Sequence, residues 1–339
     1  MKSRPEKFRA GEYIAFALIT ALVLILCTCL GSVSVPVSET LRTFWELVSG
    51  NEISSAIIAE VRLPRVLCAG LAGAALSLCG ASMQGLLRNP LADGSTLGVS
   101  SGAALGAVTA IAFGITVPEL PFAGTVVLAA GAAFLSLVLI IALSYRLDGS
   151  LATNTIILVG VIFSMFASSL MSLIITFAGE KIREITFWTM GSLAMSSYEN
   201  ALLIFVSIAV FGTVLMMHSR ELNAFALGED NARNVGVDVK RVKLTVLICA
   251  SALIGVCVAV GGSIGFVGLA VPHIARMIVG PNHRRLLPAS AFSGAVFLML
   301  ADLVARTILS PKQLPIGVVT SLVGAVVFVY VFFRSRRSR

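Results

Sequence analysis

The sequence predicts an all-α polytopic membrane protein with about ten transmembrane helices. Three observations carry this. Of the 339 residues, 57% are hydrophobic and only 12% charged, roughly half the charged fraction of a soluble domain. Apolar runs of about 20 residues recur along the chain, the length that crosses a bilayer's hydrocarbon core. Each run is continuous and rich in Ala, Leu, Gly and Val, whereas a membrane β-barrel alternates in segments of about 10 residues.

The elements follow in order. The basic start "MKSRPEKFRAGEY" leads into an apolar stretch longer than the roughly 7–15 residues of a signal-peptide core. Residues 13–33 therefore read as the first span. The others are predicted at 65–87, 97–116, 122–144, 153–177, 200–218, 243–262, 265–280, 288–308 and 314–333. The eighth is short and holds Pro272 in its middle, so it reads as a kinked span or a re-entrant segment. Residues 34–64 and 180–199 space their apolar residues as helices lying at the outer surface would. Trp188 and Tyr198 suit a membrane interface. No linker divides the chain, and residues 1–339 read as one transmembrane domain.

Charge orients the spans. With both termini cytoplasmic and ten crossings, 18 of the 25 Lys and Arg lie on the inner side, as the positive-inside rule requires. A non-crossing eighth segment would put the tail "RSRRSR" outside, so it counts as a crossing. The net charge of +8 is matched by anionic inner-leaflet lipid and calls for no nucleic acid.

Chemistry-bearing motifs are few. The cysteines at 27, 29, 68, 79, 249 and 257 fall inside apolar runs at no zinc or redox spacing, so they read as packing residues and no metal site is predicted. No G-x-x-x-x-G-K-[ST] occurs, so this chain does not itself cradle ATP. "GVSSG" at 98–102 matches G-x-S-x-G, but that motif needs a strand before it and a helix after it. Here Gly94, Gly98, Gly102 and Gly106 recur every four residues, a spacing that lets membrane helices approach closely. Packing is the preferred reading over a catalytic Ser100, and no catalytic residue is predicted. Asp302, the clearest intramembrane acid, lies four residues before Arg306, and a neutralised pair is preferred over a proton or cation site. His273, beside Pro272, reads as a packing histidine in preference to a ligand or gate residue.

The run "LGEDNARNVGVDVKRVK" at 227–243 stands apart, inside the cytoplasmic loop of about 219–243. Glu229 and Asp230 can open a short helix, where acids meet the positive dipole end. Arg233 falls near its end, Gly236 fits the left-handed position after it, and Asp238 can cap the next span. A structured helix there is a handle for a partner; a solvated loop accounts for the same residues equally well.

Three stretches then carry a resemblance. They are "RLPRVLCAGLAGAALSLCGASMQGLLRNPLADGSTLGVSSGAALGA" (62–107), "GSIGFVGLAVPHIARMIVGPNHRRLLPASAFSGAVFLMLADLVAR" (262–306) and "LPIGVVTSLVGA" (314–325). In this order they resemble signatures of the FecCD-type permeases, the membrane subunits of ABC importers for iron–siderophores, haem and cobalamin. Residues 226–243 resemble the loop by which these permeases dock on their ATPase.

The resemblance implies a type II ABC importer fold in a bacterial cytoplasmic membrane. Two permease copies, identical or related, would surround the pathway. Two ATPase subunits would bind below and an extracytoplasmic solute-binding protein above. ATP and Mg would be used by the ATPase, while this chain would hold no cofactor and catalyse nothing. Gly228, Glu229, Ala232, Arg233 and Gly236 would seat a coupling helix in the ATPase. Arg62, Arg65 and Arg306 would meet acidic residues of the binding protein, since arginine grips a carboxylate with two parallel hydrogen bonds; snorkelling helix anchors are the alternative. Thr153 and Asn154 would gate the cytoplasmic end of a pathway lined by the fifth and tenth spans.

Two departures stand out. Gln313-Leu314-Pro315 replaces the usual Glu-Leu-Pro, removing a negative charge expected near Arg306. Gly324-Ala325-Val326 replaces Gly-Ala-Pro, so a less kinked last helix is expected. A ferric siderophore is the expected cargo, with cobalamin or haem next. The competitors from other classes are an ion-gradient carrier built on Asp302 and a hydrolase built on Ser100.

Overall fold

The computed structural model describes residues 8–31, 35–94, 97–115 and 123–337, with side chains of the last stretch from 124 to 329. All regular structure among the described residues is helical. The helices are α1 (Ala10–Cys29), α2 (Val37–Ser49), α3 (Leu63–Leu86), α4 (Val99–Ala112), α5 (Ala123–Leu147), α6 (Thr153–Phe177), α7 (Ile182–Thr189) and α8 (Tyr198–Ser207). They continue with α9 (Thr213–Met217), α10 (Ser219–Phe225), α11 (Glu229–Asn234), α12 (Val239–Gly261), α13 (Val267–Val279), α14 (His283–Thr307) and α15 (Ile316–Arg337). A π-helical turn at Ile57–Arg62 leads into α3, and another at Ile208–Gly212 joins α8 to α9.

Seven helical segments are long and apolar enough to cross a membrane, and α4, α13 and α15 are shorter apolar helices over their described parts. These ten fall one for one on the predicted spans. The second begins earlier than expected, at Ile57, because the π-helical turn Ile57–Arg62 runs directly into α3 ahead of Pro64. The tenth runs without interruption from Ile316 through Val326.

Contacts at the helix ends fix the direction of the eighth segment. Arg285 near the start of α14 pairs with Glu12 near the start of α1. Arg306 near the end of α14 donates to the Cys27 carbonyl near the end of α1. The two helices therefore run parallel, and seven of the ten apolar helices lie between them in sequence. An odd number of crossings is needed, so α13 counts as one. Its 13 residues reach only about 20 Å. The irregular segment 262–266 completes it, with Ser263, Ile264, Gly265 and Phe266 lining a cavity of about 220 Å³. Non-helical backbone at membrane depth is tolerated in such a setting.

The bundle is built around α3, which is mostly buried, whereas α1, α5 and α6 turn most of their surface outward. Lipid offers helices no hydrophobic drive to associate, so close backbone approach must supply the contact. Small residues on α3 allow it. A Cβ on Gly73 would lie 2.2 Å from the Gly294 carbonyl oxygen of α14. One on Gly80 would lie 1.9 Å from the Gly268 oxygen of α13. Gly106 is in the same position against Leu128 of α5, at 2.3 Å. The expected four-residue stripe is only partly helical, because α4 begins at Val99 and Gly94 lies outside it.

The segments predicted to lie at the outer surface each contain a helix, α2 and α7. On α2, Trp45 and Val48 face out while Thr40, Thr43 and Glu46 face in. The Glu46 carboxylate accepts from the Ser54 amide and hydroxyl at 2.8 and 2.7 Å, pinning α2 to the loop behind it.

Candidate functional site: the coupling loop and the outer arginine cluster

The charged run folds as its capping residues dictate. Gly228 N-caps α11 with φ 115°. Gly236 follows it in the left-handed region at φ 88°, and the Val237 amide closes back on the Ala232 carbonyl at 3.0 Å. The Asp238 side chain accepts from the Arg241 amide at 3.0 Å and caps α12. A valine at 236 must enter a conformation that costs a β-branched residue about 1–2 kcal/mol or more. Gly236→Val is therefore expected to misplace α11 and weaken ATPase co-purification, while thermal unfolding of the membrane core stays unchanged.

The five predicted coupling residues divide. Arg233 and Gly236 are exposed, and Arg233 makes only a 3.1 Å surface pair with Asp230. Ala232 is fully buried, so its role here is to seat the helix. Glu229 points inward, where its Oε1 lies 2.7 Å from Lys243 Nζ and accepts from Thr153 Oγ1 at 3.3 Å. Sequence reasoning passed over Leu227 and Val235, which flank α11 and are each 72% exposed. An apolar residue at both ends of a polar loop helix is the signal that could have identified them.

Thr153 and Asn154 open α6 beside this helix, with Asn154 exposed. The loop before them is tightly tied. Asp148 accepts from the Ser150 hydroxyl at 2.7 Å, the Ser150 amide at 3.0 Å and the Ala152 amide at 3.1 Å. These bonds, the Ser150 hydroxyl first, hold the Asp148 carboxyl below its ordinary value of 3.8. A depressed carboxyl contributes its stability above the ordinary value and loses it as pH falls through the lowered one. Protection of the Ser150 and Ala152 amides, corrected for intrinsic exchange, is expected to be flat from about pH 5 to 8. In Asp148→Ala it is expected to fall across that whole range, as hydrogen-exchange mass spectrometry would show.

At the opposite end, the three predicted docking arginines come together inside the bundle. Arg62, Arg65 and Arg306 are only 6, 7 and 6% exposed. Arg62 Nη1 donates to the Thr28 and Cys29 carbonyls at 3.1 and 2.9 Å. With Arg306 on Cys27, two guanidinium groups thus satisfy the last carbonyls of α1, which a helix C-terminus leaves unpaired. Arg65 donates through Nε to Asp302 Oδ1 at 2.8 Å and through Nη1 to Gln313 Oε1 at 2.7 Å. Arg306 Nε stands 3.3 Å from Asp302 Oδ2. Gln313 is thus the partner of Arg65 where Arg306 was expected, and it keeps the acceptor while dropping the charge.

The structure also locates the other residues that the sequence singles out. Asp302 is fully buried, with Arg65 bonded to Oδ1 at 2.8 Å and Arg306 Nε 3.3 Å from Oδ2. Ser100 lies in the first turn of α4, and no strand precedes it among the described residues. The His273 ring meets Phe328 of α15 edge-on, with centroids 6.4 Å apart. Of the six buried cysteines, Cys27 and Cys79 donate weakly to the Met299 and Ala250 carbonyls, both at 3.5 Å, and Cys29 to the Thr40 hydroxyl at 3.3 Å.

Comparison with known proteins agrees with this architecture. The family described as "FecCD transport family" matches residues 19–334. An "Uncharacterized ABC transporter permease protein YvrB" of Bacillus subtilis is 42% identical over 97% of this chain and 94% of its own length. The "Cobalamin import system permease protein BtuC" of Halobacterium salinarum is 38% identical over 85% of this chain and 76% of its own. Among solved structures, "An inward-facing conformation of a putative metal-chelate type ABC transporter" superposes with a TM-score of 0.84 at 33% identity. It covers 96% of this chain and all of that one. With ten apolar helices, a capped helix in the loop between two of them and a family match over residues 19–334, this chain belongs to the FecCD transport family.

Proposed function

We propose that the chain is the permease subunit of an ABC importer for a metal chelate or a related large cofactor, with a ferric siderophore as the cargo. Cobalamin, the solute named for one relative, and haem are the runners-up. The observation that carries the proposal is α11. It is a capped helix between two spans, seated by buried Ala232 and presenting exposed Leu227, Arg233 and Val235. That is a surface for a soluble motor. Exposed apolar side chains beside an exposed arginine are residues that a protein interface draws on.

In this reading two ATPase subunits, using ATP and Mg, press on the α11 helices of two permease copies. The pathway runs between the outward faces of α6 and α15, where Ile162, Phe166, Leu322 and Val326 are exposed. The same faces accept the second copy, identical or related. The solute-binding protein docks on the opposite face over α2 and the arginine cluster. Acidic side chains there would exchange with the internal acceptors that Arg62, Arg65 and Arg306 now hold. The setting is a bacterial cytoplasmic membrane.

The test is purification of the tagged chain from native membranes in mild detergent, with identification of what accompanies it. An ATPase at one copy per permease, and a bound ferric chelate on the captured binding protein, are expected. Cobalamin or haem there would replace the siderophore assignment. A chain that purifies without an ATPase would overturn the importer reading.

A further inference from the structure

We infer that Lys243 is a positioning residue that carries movement of the coupling helix into the cytoplasmic gate, acting through Glu229 and the backbone of Leu151. This rests on the importer reading above.

The geometry is specific. Lys243, in the first turns of α12, is 0% exposed. A lysine is almost never fully buried without a partner. Its ammonium touches two segments besides its own. Nζ lies 2.7 Å from Glu229 Oε1, at the first residue of α11. It also donates to the Leu151 carbonyl oxygen at 2.9 Å, in the loop that opens α6. Glu229 Oε1 accepts in turn from Thr153 Oγ1 at 3.3 Å. One buried cation therefore joins the coupling helix, the seventh span and the entry to the fifth.

The mechanical properties of the joined parts differ. Helix α11 has six residues, of which Ala232 is buried, so it can shift as a small unit. The loop at 148–152 is stiff, because Asp148 holds both of its following turns. Leu151 itself is buried with φ 54°. A branched residue keeps that conformation only when its surroundings impose it, and the bond from Lys243 is one of the impositions. Displacing α11 must either drag this carbonyl along or break the pair. A stiff loop with a held left-handed residue converts either event into a change at Thr153 and Asn154.

The experiment uses the complete complex, with ATPase and binding protein, in liposomes. Asn154→Cys supplies an exposed thiol at the gate, and the six native cysteines are all buried and silent by comparison. Thiol labelling is measured with and without ATP. In the otherwise unaltered complex, ATP is expected to change the labelling rate about 10-fold, the scale of a typical coupling between sites. In Lys243→Met and in Glu229→Gln that change is expected to fall below about 2-fold, while the ATPase still co-purifies and ATP is still hydrolysed. Glu229→Gln keeps an oxygen for Lys243 and is the variant read if Lys243→Met does not assemble.

The double variant, Glu229→Gln with Lys243→Met, separates transmission from charge balance. Removing both charges is expected to restore stability but not the response at position 154. Recovery of the response in the double variant, or its persistence in the single ones, would overturn the latch. ATP-driven uptake is measured alongside: its absence in the complex without any substitution would sink the importer reading, and an Asn154→Cys complex that still takes up solute with no ATP effect on labelling would overturn the latch alone.

Discussion

Asp302→Ala is expected to destabilise the protein by roughly 3–5 kcal/mol, the cost of removing one partner from a buried ion pair. The carboxylate is fully buried, with Arg65 at 2.8 Å on one oxygen and Arg306 at 3.3 Å on the other. Alanine leaves two buried guanidinium groups with only carbonyl and amide acceptors. Because Arg306 also bonds the Cys27 carbonyl near the end of α1, loosening it weakens the hold on the first span. Asp302→Asn keeps an oxygen for Arg65 but loses the charge and turns an NH2 donor toward Arg306; a loss smaller than that of alanine is expected. Thermal unfolding in detergent measures both. Transport per folded molecule is expected to survive in Asp302→Asn. Loss of transport in a fully stable Asp302→Asn would point back to an ion-coupled carrier.

Gly80→Val should prevent folding, with a loss above about 4 kcal/mol. A Cβ there would stand 1.9 Å from the Gly268 carbonyl oxygen and 2.6 Å from its Cα. Those atoms are backbone of α13 and cannot rotate away, so the two helices must separate. The separation would propagate, because α13 also packs on α14 and α15. Gly131→Ala on α5 is the control, since nothing lies within 4 Å of a Cβ added there. It should be neutral or gain up to about 1 kcal/mol from helix propensity. Yield of monodisperse protein and its melting temperature separate the two outcomes. Normal yield and melting for Gly80→Val would mean that α3 and α13 do not meet as described.

What the sequence made legible follows from what leaves a local trace. A membrane span is a continuous run, so all ten could be placed. The loop helix is written in its caps, and Gly236 and Asp238 adopt the conformations their chemistry predicts. Positions that depend on distant partners left no such trace. Glu229 reads as a first-turn acid for a partner, yet it turns inward to a lysine that also holds a carbonyl 92 residues away. Arg65 looks like a surface anchor before an apolar run, yet its acid is 237 residues downstream. The start of α4 moved to Val99 because Gly98 takes a left-handed conformation at φ 74°, and an apolar, small-residue stretch does not announce that. Leu227 and Val235 were overlooked because single apolar residues in a polar loop look incidental until the fold exposes both, one at each end of a short helix.

The most direct test of the importer account is uptake into liposomes that hold this permease with its ATPase, with binding protein and labelled ferric chelate outside. ATP sealed inside is expected to be required for uptake, with no effect of a proton or sodium gradient. Gradient-driven uptake by the permease alone, without ATP, would contradict the account.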